Sequence, residues 1–227
     1  MLEVIAQSVD DAKVIEAAGA HRIELVSGIS EGGLTPSYGM IEQVVKSVKI
    51  PVNVMIRPHS YSFEYKPYDI GVMKQDMKVV ESLGVNGIVI GCLNNREVDF
   101  ELLKEFIESI NCEITFHRAI DETLNPSLMF RKLTDIKGIN QVLTSGGPGK
   151  ACDNFTELDK MYSMMSNKLL IGSGVTLNNI PTLVLRYPNA NYHIGSDARV
   201  NQSFRNRIDE KHIKMIVQQL DGKCNMD

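Results

Sequence analysis

The chain is predicted to fold as a closed (β/α)8 barrel of the TIM type, and three observations predict it. First, short apolar strands alternate with helical stretches about eight times with no Pro/Ser-rich linker between them, which argues for βαβ units around one parallel sheet. Second, the first strand-to-helix turn reads Ala6-Gln7-Ser8, without the GxGxxG run that marks the rival doubly wound open sheet. Third, polar side chains occupy one face of several strands. Parallel strands covered on both faces usually read as continuous apolar runs. Polar residues on one face therefore predict a wet, working barrel interior.

The elements follow in order. Residues 2–6 read as a strand and 9–18 as a helix closed by Gly19. The second strand is 22–25, followed by the loop 26–36 and a helix running to about residue 48. The third strand, 52–57, alternates Val52, Val54 and Ile56 with Asn53, Met55 and Arg57. A polar loop, 58–70, leads into a helix ending near Leu83, and Gly84 stops it. Strand four is 87–91, and a helix over roughly 99–110 leads to strand five, 113–117. There Ile114 and Phe116 alternate with Glu113, Thr115 and His117, so Thr115 and His117 share a face. The second half continues with helix 126–136, strand 141–144, helix 155–165, strand 169–172, helix 177–185 and strand 191–194. A last helix near 209–221 closes one domain spanning 1–227.

Composition narrows the class. At 227 residues, 43% hydrophobic and 23% charged, the chain suits a globular domain with a sizeable core. A net charge of −4 leaves no electrostatic footprint for nucleic acid. No apolar run approaches the roughly 20 residues that span a bilayer. The N-terminus MLEVIAQSVDDA lacks the basic region and apolar core of a signal peptide, so a cytoplasmic address is expected. Cys92, Cys112, Cys152 and Cys224 are widely spaced without a CxxC pair, and reduced thiols are expected. The methionines fall mostly in helical patterns and read as core filler. A homodimer is the default oligomeric expectation, with no residue pointing to its interface.

In barrels of this kind the site lies at the C-terminal strand ends. Those ends supply Glu24, Arg57, Cys92, His117, Ser145, Gly172 and His193. Buried charges are costly without partners, so their convergence implies mutual pairing or a ligand. Glu24 is either a general base or the partner of Arg57. Arg57 offers a fork for carboxylate or phosphate. His117 is a candidate for proton transfer or metal ligation. Arg118 and Asp121 stand just beyond that strand and suit a mutual salt bridge. His21 and His212 are expected on the wrong face or the surface. Gly172-Ser173-Gly174, Gly195-Ser196 and Ser145-Gly146 form a separate signal of backbone donors for an anion, phosphate being common after strands seven and eight. Glycine-rich turns with nothing bound are the plain alternative.

Several runs are similar to the CutC copper homeostasis family. They are Arg22-Ile23-Glu24-Leu25, the EGGLTPS run from Glu31 to Ser37, Ile56-Arg57-Pro58, Thr115-Phe116-His117-Arg118-Ala119 with Asp121, and Val142-Leu143-Thr144-Ser145-Gly146. The resemblance implies a TIM barrel, a cytoplasmic protein and a role in copper handling. The chain departs from the family's pattern at Val26, where many relatives carry cysteine. It departs again at His59-Ser60-Tyr61-Ser62, where relatives commonly read Arg-Gly-Gly-Asp, and at Asn191, where Glu is frequent; His193 is kept. Cytoplasmic copper would be Cu(I), which prefers sulfur, and Cys92 is the one cysteine at a predicted strand end. Two functions follow. One is Cu(I) binding or trafficking, with Cys92 as a ligand and copper as the implied metal. The other is an enzyme doing acid/base chemistry on a small phosphorylated or carboxylated metabolite, with Glu24, Arg57, His117, Arg118, Asp121 and His193 at its centre.

Overall fold

The protein, seen in a computed structural model that describes residues 1–222, closes eight parallel strands into a barrel. They are β1 (Leu2–Ala6), β2 (Arg22–Leu25), β3 (Val52–Met55), β4 (Gly87–Ile90), β7 (Glu113–Phe116), β8 (Gln141–Thr144), β9 (Leu169–Ile171) and β10 (Asn191–Ile194). Each neighbours its predecessor, and β10 pairs with β1 to shut the ring. A two-strand hairpin, β5 (Leu93–Asn94) with β6 (Glu97–Val98), projects after β4. Its turn puts Asn95 and Arg96 at φ of 50° and 59°, the left-handed pair a two-residue hairpin requires. The sequence reading did not include this hairpin. Four residues are too short for a period-two signal, and the Asn94-Asn95 pair was its one cue.

Helices fill the outside: α1 (Val9–Ala17), α2 (Tyr38–Ser47), α3 (Pro67–Ser82), α4 (Phe100–Glu108), α5 (Pro126–Thr134), α6 (Phe155–Met165), α7 (Ile180–Arg186) and α8 (Glu210–Asp221). Side chains of Ser8, Ser37, Asp99, Asn125 and Asp209 accept from backbone N–H groups at the starts of α1, α2, α4, α5 and α8. Such a cap is worth about 1 kcal/mol over alanine. The helix expected over 177–185 begins later, because Pro181 is suited only to a first turn.

Several strands end earlier than expected. Strands β3, β4, β7 and β9 stop at Met55, Ile90, Phe116 and Ile171, so Arg57, Gly91, His117 and Gly172 stand just past them. His117 nonetheless keeps extended backbone, with its N–H donating to Ile90 O at 2.7 Å.

Two cores result from the strand period of two. Val4, Ile23, Leu25, Val54, Ile88, Phe116 and Ile171 point outward into one large apolar core beneath the helices. A small separate cluster inside the barrel holds Ile5, Val26, Met55 and Val89. The pairing registers and the stagger of such barrels place Glu24, Val89, Leu143 and His193 in one interior layer. Glu3, Asn53, Thr115 and Leu170 lie a layer below, and Ile5, Met55, His117 and Gly172 a layer above. Among the described residues no helix is long and apolar enough to cross a membrane.

Candidate functional site

The polar interior begins with strand residues whose neighbours face the helices. Glu3, Arg22, Glu24, Asn53, Thr115, Gln141 and His193 are all buried. Arg22 Nε donates to Glu3 Oε2 at 2.5 Å, and its Nη2 donates to Gln141 Oε1. His193 Nδ1 lies 2.8 Å from Glu3 Oε1, so its proton points at that carboxylate. The other nitrogen, Nε2, faces Glu24 Oε2 at 3.7 Å, an ion-pair separation longer than a hydrogen bond. Gly172 permits this packing, since a Cβ there would come 2.6 Å from Leu143 Cδ1 and 3.3 Å from His193 Cδ2.

The electrostatics follow from burial and from these partners. Burial alone would raise the Glu3 pKa, but the Arg22 charge and the His193 hydrogen bond outweigh it and hold the carboxyl below its ordinary range. Glu24 has no such partner. Burial, with help from the Glu3 charge, pushes it up to about 7 against the opposing pull of His193 and Arg22. Burial would lower the His193 pKa, yet the two carboxylates raise it overall. Glu24 and His193 thus face each other as a carboxyl and an imidazole whose pKa values are both raised, a pair able to hold a proton between them.

Above this floor a cavity of about 1040 Å³ opens at the C-terminal end of the barrel, lined from all eight barrel strands or the loops behind them. It brings together Glu24, Arg57, His117, Arg118, Asp121 and His193, and also takes in Gly174, Gly195 and Ser196. Arg57 is 7% exposed. Its Nη1 donates to Glu31 O and Gly33 O at 3.0 and 3.3 Å, and its Nη2 to Ser60 O at 3.4 Å, while the guanidinium lies 4.5 Å from the Phe63 ring centre. All of these acceptors are neutral carbonyls, so Glu24 is not its partner. His117 is 4% exposed and packs 4.9 Å from the Phe63 ring. Its Nδ1 accepts from the Ala119 N–H at 3.1 Å, which fixes the proton of the neutral ring on Nε2. Burial, then the Arg57 and Arg118 charges, push its pKa down to about 3. Gly91 makes room, because any Cβ there would overlap the His117 ring.

Among the described residues six buried side-chain polar atoms have no protein partner; His59 Nδ1, Tyr65 Oη and Arg199 Nε belong to residues that do not line the cavity, and the other three are Glu24 Oε1, Arg57 Nε and His117 Nε2. These last three belong to residues lining this one cavity. An orphaned buried polar group costs about 1–3 kcal/mol, so three around one space mark a place built for a ligand.

Other expected residues serve the protein itself. Arg118 Nε bonds Asp121 Oδ2 at 2.9 Å, the anticipated salt bridge. Asp121 also accepts from Thr144 Oγ1 at 2.5 Å and from the Ser145 N–H at 3.1 Å, and Ser145 Oγ stands 2.8 Å away. The Gly146 N–H donates to Thr144 Oγ1, and the Gly172 N–H to Thr144 O. The donors expected of Ser145, Gly146 and Gly172 are therefore engaged internally, two of the acceptors being Thr144 oxygens and the third the Asp121 carboxylate. Cys92 lies in the outer core, with Sγ donating to Asp99 O at 3.5 Å; burial raises its thiol pKa, and it does not line the cavity. Its outward direction follows from the strand parity that turns Ile88 and Ile90 to the helices. His212 meets Asp197 at 2.7 Å, and His21 accepts from the Leu2 N–H at 3.1 Å. Sequence reasoning overlooked Glu3. An acid alternating with Leu2 and Val4 in a buried strand was the available signal.

A metal is a second candidate occupant. Ligand atoms of Glu3, Glu24 and His193 lie within 4.8 Å of one another. Two carboxylates and an imidazole suit a hard or borderline divalent ion, while Cu(I) prefers sulfur. Glu3 is moreover committed to Arg22. Met55 is the one sulfur-bearing residue among those lining the cavity, and Cys224 lies outside the described residues. The donor set does not fit Cu(I).

Comparison with known proteins adds kinship. Residues 1–197 match the model of the CutC family. A CutC family protein of Proteus mirabilis is 37% identical over 182 residues, covering 79% of this chain and 72% of that protein. The human copper homeostasis protein cutC homolog is 36% identical over 188 residues, covering 81% of this chain and 68% of its own length. Among solved structures, CutC from Streptococcus agalactiae superposes with a TM-score of 0.78 at 24% identity, covering 86% of this chain and 97% of that one. Phosphoribosylanthranilate isomerase from Thermotoga maritima gives 0.65 at 12% identity over 97% and 98% of the two chains, a likeness of fold alone.

Proposed function

The chain belongs to the CutC family, and from that premise we propose that it is a cytoplasmic enzyme moving protons on a small phosphorylated or carboxylated metabolite. One observation carries the reading. The unpartnered Glu24 Oε1, Arg57 Nε and His117 Nε2 belong to residues that line a single cavity, and Glu24, with its pKa raised to about 7, sits at its floor beside His193. A base near neutrality gives and takes protons efficiently at working pH. Arg57, buried without a carboxylate, retains an uncompensated charge for the ligand's anion. Arg118 adds a second cation at the rim, where its side chain is 42% exposed. Gly174, Gly195 and Ser196, after β9 and β10, are the remaining candidates for a phosphate. The copper role carried by the family name requires Cu(I) as cargo, and the single thioether of Met55 is short of the sulfur set that Cu(I) prefers.

A thermal-shift screen separates the two. With ligand at about 100 times its dissociation constant, a phosphorylated or carboxylated compound raises the melting temperature by roughly 5 °C or more. Arg57→Ala abolishes that rise, and Cu(I) is lost to a micromolar chelator. Failure of every such anion to stabilise the protein, with Cu(I) retained, reverses the assignment.

A further inference from the structure

We infer that His117 acts as a fixed neutral hydrogen-bond donor to a carbonyl oxygen of the substrate, so that the reaction served is abstraction of a proton from the carbon beside that carbonyl. This inference rests on the acid/base reading above and specifies its chemistry. The geometry carries it. Nδ1 of His117 already accepts from the Ala119 N–H, so the ring cannot pick up a second proton without losing that bond. Its Nε2–H is buried and unpartnered, and His117 is one of the residues that line the cavity. The charged groups facing the ring are Arg57 from the turn after β3 and Arg118 from its own turn, both cationic, and Phe63 covers it from the β3–α3 loop. Surroundings of this kind keep an imidazole neutral, and a neutral imidazole donor matches an oxyanion that develops during reaction.

The rest of the cavity selects the reaction. Glu24 stands one interior layer below His117, with His193 and Glu3 behind it to share a proton. No cysteine or lysine lines the cavity among the described residues, and none of its hydroxyls, Ser62, Ser173, Thr176 and Ser196, is hydrogen-bonded to a histidine that could activate it, Ser173 Oγ donating to Gly149 O. A base below, a donor above and a cation alongside are the parts an enolisation needs. The Glu24 carboxylate takes the proton from carbon. The C–H electron pair forms a carbon–carbon double bond, and the carbonyl π pair moves onto oxygen, giving an enolate held by His117 Nε2–H and Arg57. Glu24 then returns the proton to the same carbon or, after a proton shift between the oxygens, to its neighbour. No oxidant or co-reactant is consumed.

The test uses the whole protein with triose, pentose and hexose phosphates in D2O. Proton NMR follows loss of the C–H beside the carbonyl, while ¹⁵N NMR follows the His117 ring, assigned against His117→Gln. The expected result is deuterium incorporation that falls at least about 100-fold in Glu24→Gln, and a His117 ring that stays neutral with the proton on Nε2 from about pH 5 to 9. His117→Ala loses exchange, and His117→Gln, which restores an N–H donor, recovers part of it. A His117 that titrates inside that range overturns the donor role while leaving the acid/base reading standing. Stabilisation by a sugar phosphate without any carbon-bound exchange overturns the carbon-acid chemistry and spares the anion site. Absence of both stabilisation and exchange removes the inference together with the reading on which it rests.

Discussion

Two carboxylates on adjacent interior layers have opposite fates, and their partners explain it. Glu3 has Arg22 and His193 within hydrogen-bond reach and stays ionised. Glu24 is equally buried but has only a distant imidazole, and its second oxygen has none. A carboxyl whose pKa is raised on folding favours the folded state while protonated. That contribution is fully present below the ordinary pKa of 4.5 and is lost as pH rises through about 7. Glu24→Gln removes the dependence, because the amide does not titrate and needs no proton to stay neutral in the buried site. The variant therefore gains on the wild type between pH 5 and pH 8, by about 1–3 kcal/mol at the upper end. Urea melts of both proteins across that range measure it, and a difference independent of pH would contradict the placement of the proton. The convergence of Glu24, Arg57 and His117 was legible from strand period and strand ends. Their partners were not, because the Arg57 acceptors lie in the 31–33 and 60 loops and the His117 acceptor role depends on a local turn.

At the scale of elements, the turns behind the strands decide what each motif does. The Ser145-Gly146 turn has the composition of an anion cradle, yet Asp121 from the β7–α5 connection occupies it, so a negative charge is bound there already and belongs to the protein. The turn after β4 has the reverse character. Gly91 looks like an ordinary strand end, but its missing Cβ is the space in which the His117 ring sits, and Ala119 Cβ stands 3.0 Å from where that Cβ would be. Gly91→Ala is expected to cost about 1–3 kcal/mol by overpacking. It also displaces the His117 ring, so the ligand-induced rise in melting temperature shrinks even where the protein remains folded. Circular dichroism and the thermal-shift screen read the two effects separately; a variant that is destabilised yet keeps the full ligand response would show the ring is not displaced. A composition of glycines and hydroxyls cannot distinguish these turns, since the distinguishing residue comes from another strand's loop.

For the whole molecule, the barrel wall separates two environments. Outward residues join one continuous apolar core with the helices, and inward ones form a polar floor capped by a few apolar side chains. Cys92 falls on the outer side of that wall. Cys92→Ala is thus expected to cost about 1 kcal/mol of stability through lost packing. The response to anionic ligands stays unchanged, as thermal shifts on the variant would show. A loss of ligand response in Cys92→Ala would mean that the two environments communicate, contrary to the partition seen here. The alternation of strand and helix, the closure into a barrel, the inward face of each strand and the family all follow from this sequence alone, because period, turn residues and motif order are local properties of the chain. Only the tertiary structure decided which charges are neutralised. Glu3 is satisfied and Glu24 is not, the Ser145 turn is filled and Arg57 is left without a counter-ion, since each outcome depends on strands distant in sequence meeting at one register inside the ring.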